Sequence, residues 1–317
     1  MKCLRCLHLV VISIMILYVA TSCAPSARVP VMRPAEIYLQ GINRIAVGNI
    51  EGNIGREVAD SLTTKLFEAN YFEVVDRENI TRIMREHNLN LSGAVDERTA
   101  AEIGRLIGAS ALIFGNAVAQ YKQTTSVSKT YKKKDGSPYR FYHKDGIAKV
   151  KINFRVVDLR TGKIVAAKSI LKEATDRNWE RNRWPPDLDR EMIVGKAANK
   201  CVDAFMRIIA PHTEYVNVSF ADSEVPESKA GVGFAQKGLW SDALKQFLLA
   251  VQKGPNDADA WYNLGIGYEY NHMYPEAMEA LKKSYSIKGE YRCLKEINNC
   301  YALQAERRRL EQQGAVE

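Results

Sequence analysis

The sequence predicts an α/β domain with a mixed sheet, followed by an all-α helical-repeat module. Three observations carry that expectation. From about Ile42 to Ala210 the apolar pattern alternates between strand-like and helix-like spacing. Within that span the period changes to two at Val150, Ile152, Phe154 and Val156, with Lys149, Lys151, Asn153 and Arg155 on the opposite face. Beyond Pro211 the pattern reads as wholly helical, and small and large apolar residues recur 34 positions apart.

In chain order, the first element is a leader. Lys2 and Arg5 precede an apolar run from Leu9 to Ala20, of signal-peptide length and short of the ~20 residues that a spanning helix needs. Ala20, Thr21 and Ser22 then lead into Cys23. An ordinary secretory signal with an incidental cysteine is the lesser alternative for this stretch. "SARVPVMRPAE" reads as a Pro-containing tether.

The α/β elements follow. "NRIAVGNI" is a strand, and Val58, Leu62, Leu66 and Ala69 make one helical stripe. "YFEVVD" is a second strand, after which Asp76 caps a helix with Ile80, Ile83 and Met84 inward. Asp96 starts another, with Ala100, Ile103 and Ile107 buried and Gly108 as its stop. "SALIFGNAV" is a short strand covered on both faces. Val150–Val156 and "IVAAKSIL" form a hairpin through the turn "RTGK", Arg160 to Lys163. A closing helix buries Ile193, Ala197, Cys201, Phe205 and Ile208.

Several of these stretches resemble a known family. "RPAEI", "GINRIAVGNIEG", "LTTKLFEANYFEVVDRENITRIMREHNLNLSGAVDE", "LIGASALIFG" and "INFRVVDLRTGKIV" are similar to the CsgG family, over roughly Pro34 to Ala210. That family includes the curli secretion-channel subunit, and its fold overlaps that of LpoB-like activators of peptidoglycan synthases. The approach to Cys23 resembles a bacterial lipobox, with Ala20 where leucine is commoner. That resemblance implies cleavage before Cys23 and acylation of it, a covalent palmitate-type lipid in place of any cofactor. Each buried methylene contributes ~0.8 kcal/mol to membrane attachment. Ala24 after the cysteine implies sorting to the outer membrane, with the body in the periplasm.

The C-terminal repeat resembles the tetratricopeptide (TPR) pattern. Gly231, Phe234, Ala243, Phe247, Ala250 and Pro255 recur as Gly265, Tyr268, Ala277, Leu281, Ser284 and Gly289, and Trp261 and Leu264 complete the second copy. "YRCLKEINNCYALQAERRRLEQ" is the capping helix. The expected organisation is a signal peptide at 1–22, a lipidated tether at 23–40, a CsgG-like α/β domain at 41–215, and two TPR repeats with a cap at 222–311.

The curli subunit builds a barrel from amphipathic hairpins, so the equivalent segments matter. "QYKQTTSVSKTYKKKDGSPYRFYHKDGIAK" and "KSILKEATDRNWERNRWPPDLDRE" lack an apolar side chain at every second position. Each Lys or Arg facing mid-bilayer lipid costs ~2–4 kcal/mol, which argues against a pore. A secretion-channel component therefore stands as the alternative reading, not the first.

Chemistry is sparsely signalled. "RIAVGNIEGNIGREVADSL" mimics a dinucleotide-binding strand–loop–helix, but Gly48, Gly52 and Gly55 do not keep the G-x-G-x-x-G spacing. A nucleotide-binding enzyme is thus a distant alternative, and no catalytic residue is assigned. His87, His143, His212 and His272 are scattered singly, so no metal site is expected. Cys293 and Cys300 on one helix are ~10.5 Å apart by rise, too far for a disulfide. The net charge of +8 is dispersed, which speaks against nucleic acid as a partner.

Two stretches remain as partner contacts. On the repeats, Tyr262 and Asn263 are the expected exposed contacts, while Trp261, Leu264 and Tyr268 are assigned to packing. In "RNWERNRWPPDL", Trp179 and Trp184 alternate with Arg181 and Arg183, the residue types that anchor interfaces, although the tryptophans could equally fold back on the domain. Tyr131, Tyr139, Phe141 and Tyr142 pose the same choice. The expectation is a non-enzymatic envelope scaffold, contacting envelope proteins and forming homo-oligomers.

Overall fold

The computed structural model describes residues 25–75 and 97–316. Asp76, Ile80, Ile83, Met84, His87 and Asp96 lie outside the described residues, as do the leader and Cys23. The chain divides into two compact units.

The first unit comprises Arg33–His212 with Leu310–Glu317. Its sheet has five strands: β2 (Arg44–Glu51), β3 (Glu73–Val75), β4 (Ala111–Val127), β7 (Phe141–Asp158) and β8 (Ile164–Arg181), in the order β3-β2-β4-β7-β8. The β2 strand runs parallel to β3 and β4, whereas β4, β7 and β8 are antiparallel neighbours. A two-stranded hairpin of β5 (Tyr131–Lys132) and β6 (Pro138–Tyr139) interrupts the connection from β4 to β7.

Helices α1 (Gly55–Ala69) and α3 (Arg190–Ile209) pack on one face of the sheet. Their apolar stripes exclude water with the inward residues of β7: Val58, Leu62, Leu66, Cys201, Phe205, Val150, Ile152 and Phe154 are all buried. Phe154 stacks on Phe205 with ring centroids 4.1 Å apart. Ala69, expected inside, is exposed, because the helix ends at this residue and Asn70 after it turns left-handed. Asp189 caps α3 by accepting from the Met192 N–H at 3.0 Å. On the opposite face α2 (Glu97–Ile107) buries Ala100, Ile103 and Ile107 against Ala46, Leu112 and Val157.

The "RTGK" turn forms as expected. The Asp158 carboxylate accepts from the Arg160 N–H and guanidinium, and Gly162 supplies the positive φ. The glycine-rich loop after β2 is closed by the chain itself. A Cβ on Gly52 would stand 2.0 Å from the Ala117 carbonyl oxygen. The Asn53 amide both donates to and accepts from the Ala119 backbone, at 3.0 and 2.9 Å.

Strands β4, β7 and β8 run far past the core. Their antiparallel register continues unbroken from Ile152 to Tyr142 on β7, so the two insert segments are largely strand, not loop. The "SALIFGNAV" strand is accordingly longer than its sequence suggests.

The second unit comprises Thr213–Arg309 with the described part of Met1–Met32. It begins with a two-stranded sheet of β1 (Ser26–Arg33) and β9 (His212–Ser219). Two expectations are corrected here. The Pro-containing run is paired strand where a tether was expected, and the segment after Pro211 is not wholly helical. The reason is a period-two set of small apolar side chains, Ala27, Val29 and Val31 with Val216 and Val218, gathered with Phe220 into the helical core.

Five helices follow: α4 (Pro226–Gln236), α5 (Trp240–Lys253), α6 (Ala258–Glu269), α7 (Tyr274–Lys288) and α8 (Tyr291–Gln312). A Cβ on Gly231 would meet the Phe247 ring at 2.5 Å, and one on Gly265 would meet Leu281 at 2.6 Å. The α4/α5 and α6/α7 pairs therefore close on equivalent positions of the 34-residue repeat. Cys293 and Cys300 are buried free thiols with separate partners, the Ser284 hydroxyl and the Glu269 carboxyl.

Candidate functional site

A groove opens in the helical unit between α5, α6 and α7. Its volume is about 680 Å³. Leu248 and Val251 of α5, Trp261 and Tyr268 of α6 and Met278 of α7 form its apolar lining, over buried Leu264. Helical spacing of three and four residues produces this stripe: Leu248 and Val251 share one face of α5, and Trp261, Leu264 and Tyr268 share one face of α6. The Trp261 indole N–H donates to the Pro255 carbonyl at 2.9 Å, which fixes the ring at the groove wall. Glu276, Glu279, Lys282 and Lys283 of α7 give the rim both signs of charge. A site of this size and composition suits an apolar segment with a few polar anchors.

Trp261, Leu264 and Tyr268, expected to serve packing, pack and line the groove at once. Leu248, Val251 and Met278 were not singled out in the sequence. Their signal is weak: Leu248 and Met278 are half-buried and Val251 buried, ordinary apolar residues at helical spacing.

Tyr262 and Asn263 are not exposed contacts, and that expectation is corrected. Tyr262 is 6% and Asn263 0% exposed. Asn263 accepts from the Ala221 N–H at 2.7 Å and donates to the Ala221 carbonyl and the Ser228 hydroxyl, a role that holds the segment before α4. Tyr262 lies under the Arg292 guanidinium, 4.6 Å from its ring centroid, and its hydroxyl donates to Glu296. Burial pushes the Tyr262 phenol well above its ordinary pKa. Both side chains point into the unit because α6 is apolar on most of its circumference.

The second candidate stretch does stand at the surface. Trp179 and Trp184 are 55% and 47% exposed. Trp179 and Arg181 lie on β8, on one face of the three-stranded ribbon that β4, β7 and β8 form beyond the core. Trp179 meets Phe141 edge-on at 5.1 Å, and Arg181 covers the Tyr139 ring at 4.8 Å. Tyr131 stacks on Tyr139 at 5.5 Å. Trp184 and Arg183 belong elsewhere: Trp184 packs edge-on against Tyr142, on the other face, and Arg183 pairs with Glu180. The four residues grouped by sequence are thus split between two environments.

Among the described residues no helix is long and apolar enough to cross a membrane, and no three His, Cys, Asp or Glu side chains converge as a metal-binding group.

Residues 39–182 match the family model described as "Curli production assembly/transport component CsgG". No curated protein matches the chain. Among solved structures, the LpoB C-terminal domain from Salmonella enterica aligns at 13% identity over 42% of this chain and 85% of that one, with a TM-score of 0.27. The PelC dodecamer from Paraburkholderia phytofirmans aligns at 14% identity over 58% and 98%, with a TM-score of 0.25. Lipoprotein GNA1162 from Neisseria meningitidis aligns at 15% identity over 51% and 96%, with a TM-score of 0.26. At those TM-scores the likenesses carry no inference about this chain.

Proposed function

We propose that this protein is a lipid-anchored envelope scaffold without enzymatic activity, held by acylated Cys23 at the periplasmic face of the outer membrane. Its CsgG-family domain makes contacts within an envelope assembly, including contacts between copies. Its helical unit, read as two TPR repeats and a cap, recruits a further protein. The observation that carries this reading is the apolar groove of about 680 Å³ between α5, α6 and α7, attached in sequence to a CsgG-family domain. An apolar helix or strand of the partner fills the groove, and the α7 charges orient it.

Capture from envelope extracts by wild-type protein and by Met278→Arg tests recruitment. A guanidinium in the apolar groove should remove at least one captured envelope protein while the melting temperature stays the same. An unchanged set of captured proteins ends this reading.

A second reading, a secretion-channel component, is favoured by one observation. Strands β4, β7 and β8 are 17, 18 and 18 residues long, beyond the ~9–11 that a membrane-spanning strand needs. Charge opposes it, since Lys122, Lys149, Lys151 and Arg177 are exposed on one ribbon face while Lys144 and Lys172 lie on the other. Steady single-channel steps in planar bilayers would favour the channel.

A further inference from the structure

The ribbon carries a long open face that the groove reading leaves unused. Every second residue of β8 from Ala167 to Arg181 is exposed, as are Val118, Gln120, Lys122, Thr124 and Ser126 of β4. Between them β7 presents Arg155, Lys151, Lys149 and Ile147. From Arg155 to Phe141 this face is about 45 Å long at strand rise.

Its charges are ordered along the strands. Lys149 pairs with Glu173 at 2.9 Å, and Asp145 pairs with Arg177. Lys122, Lys151 and Arg155 have no acidic partner among the described residues. Lys151 and Arg155 are four positions apart on β7 and Lys122 stands opposite Ile147, four positions before Lys151, so these cations form a row spaced about 13 Å apart rather than one cluster. At the far end the row meets the Tyr131, Tyr139, Phe141 and Trp179 rings with Arg181 laid over Tyr139. Lys132 ends β5, and Lys133 and Lys134 follow in the exposed turn to β6, where the one acid, Asp135, is held by Ser137.

We propose that this face is a binding track for an acidic polysaccharide. A linear chain with carboxylates spaced along it matches the spaced cations, and the C–H faces of sugar rings stack on exposed aromatic rings such as Trp179. A lipid surface fits less well. The exposed apolar residues Val118, Ile147 and Leu171 stand singly, and the Lys149–Glu173 and Arg177–Asp145 pairs lie among them, so insertion would carry ion pairs into hydrocarbon. The track lies on the ribbon and the β5–β6 hairpin and does not depend on the groove.

The test is binding of the purified full chain to polygalacturonate, followed by calorimetry across a salt series. Comparison arms are neutral dextran, phosphatidylglycerol vesicles and single-stranded DNA. The variants are Lys122→Glu/Lys151→Glu/Arg155→Glu and Trp179→Ala, with Lys237→Glu/Lys295→Glu/Arg308→Glu on the helical unit as a control of equal charge change. All these side chains are exposed, so circular dichroism melting should not move. The track predicts binding to polygalacturonate and not to dextran. Affinity should be roughly tenfold or more weaker in the ribbon triple variant. It should be roughly threefold or more weaker in Trp179→Ala and unchanged in the control. Equal loss in the control triple variant, tighter binding to vesicles or DNA than to polygalacturonate, or no binding at all overturns it.

Discussion

Glu269 is 2% exposed, enclosed between α6 and α8. Asn299 donates to it at 3.0 Å and the Cys300 thiol at 3.4 Å. Burial, then the neighbouring Glu296, raises its pKa far above the carboxylate range, so the folded protein holds it protonated at neutral pH. The unfolded chain titrates this group near ~4.3. Folding therefore binds a proton that the unfolded chain releases above that pH. The stabilisation is complete below the unfolded pKa and falls as pH rises toward the raised folded pKa. Glu269→Gln, which keeps the size and the neutral form, should remove this slope. Chemical denaturation at pH 5 and pH 8 checks it: the variant should gain stability on the wild type between those values, on the order of 1–3 kcal/mol. A parallel decline in both proteins would mean that Glu269 is ionised when folded. None of this was legible in the sequence. The only cue at Glu269 is a carboxylate among the apolar residues of α6, and its partners arrive from α8, thirty residues later.

At the scale of elements, the repeat was legible because its constraint is steric and local. Gly231 and Gly265 each lie where a side chain would strike the core residue of the paired helix, Phe247 or Leu281. Gly231→Ala therefore sets a helix-propensity gain of ~1 kcal/mol against overpacking of ~1–3 kcal/mol. The phenyl ring is buried and has little room to move, so a lower melting temperature of the helical unit is expected in calorimetry; a rise would show the helices to be less closely packed. The hairpin turn was likewise readable from its residues, and α1, α2 and α3 from their apolar period. Strands β1 and β9 were not, since their apolar residues are few and small and pairing across the sequence supplies what composition does not. The reach of β4, β7 and β8 was hidden for another reason: both faces of a solvated ribbon are polar, so no alternation marks it. Tyr262 and Asn263 were misread on the same ground, because α6 is buried nearly all round and sequence gives no exposed side for it.

For the whole molecule, the anchor and the groove are joined in one account. Cys23→Ala should abolish incorporation of labelled palmitate and move the protein from the membrane fraction to the soluble periplasm; unchanged fractionation would remove the anchor from the account. The expectation of an anchor rests on the basic start, the apolar run and a lipobox-like approach to a cysteine, whereas the groove required three helices to be placed together. Scaffolding is tested most directly by a photo-crosslinking amino acid placed at Met278 in intact cells, with Lys237 as the comparison position. The account predicts an adduct with an envelope protein from position 278 that is absent from position 237. No adduct, or the same adduct from both positions, would contradict it.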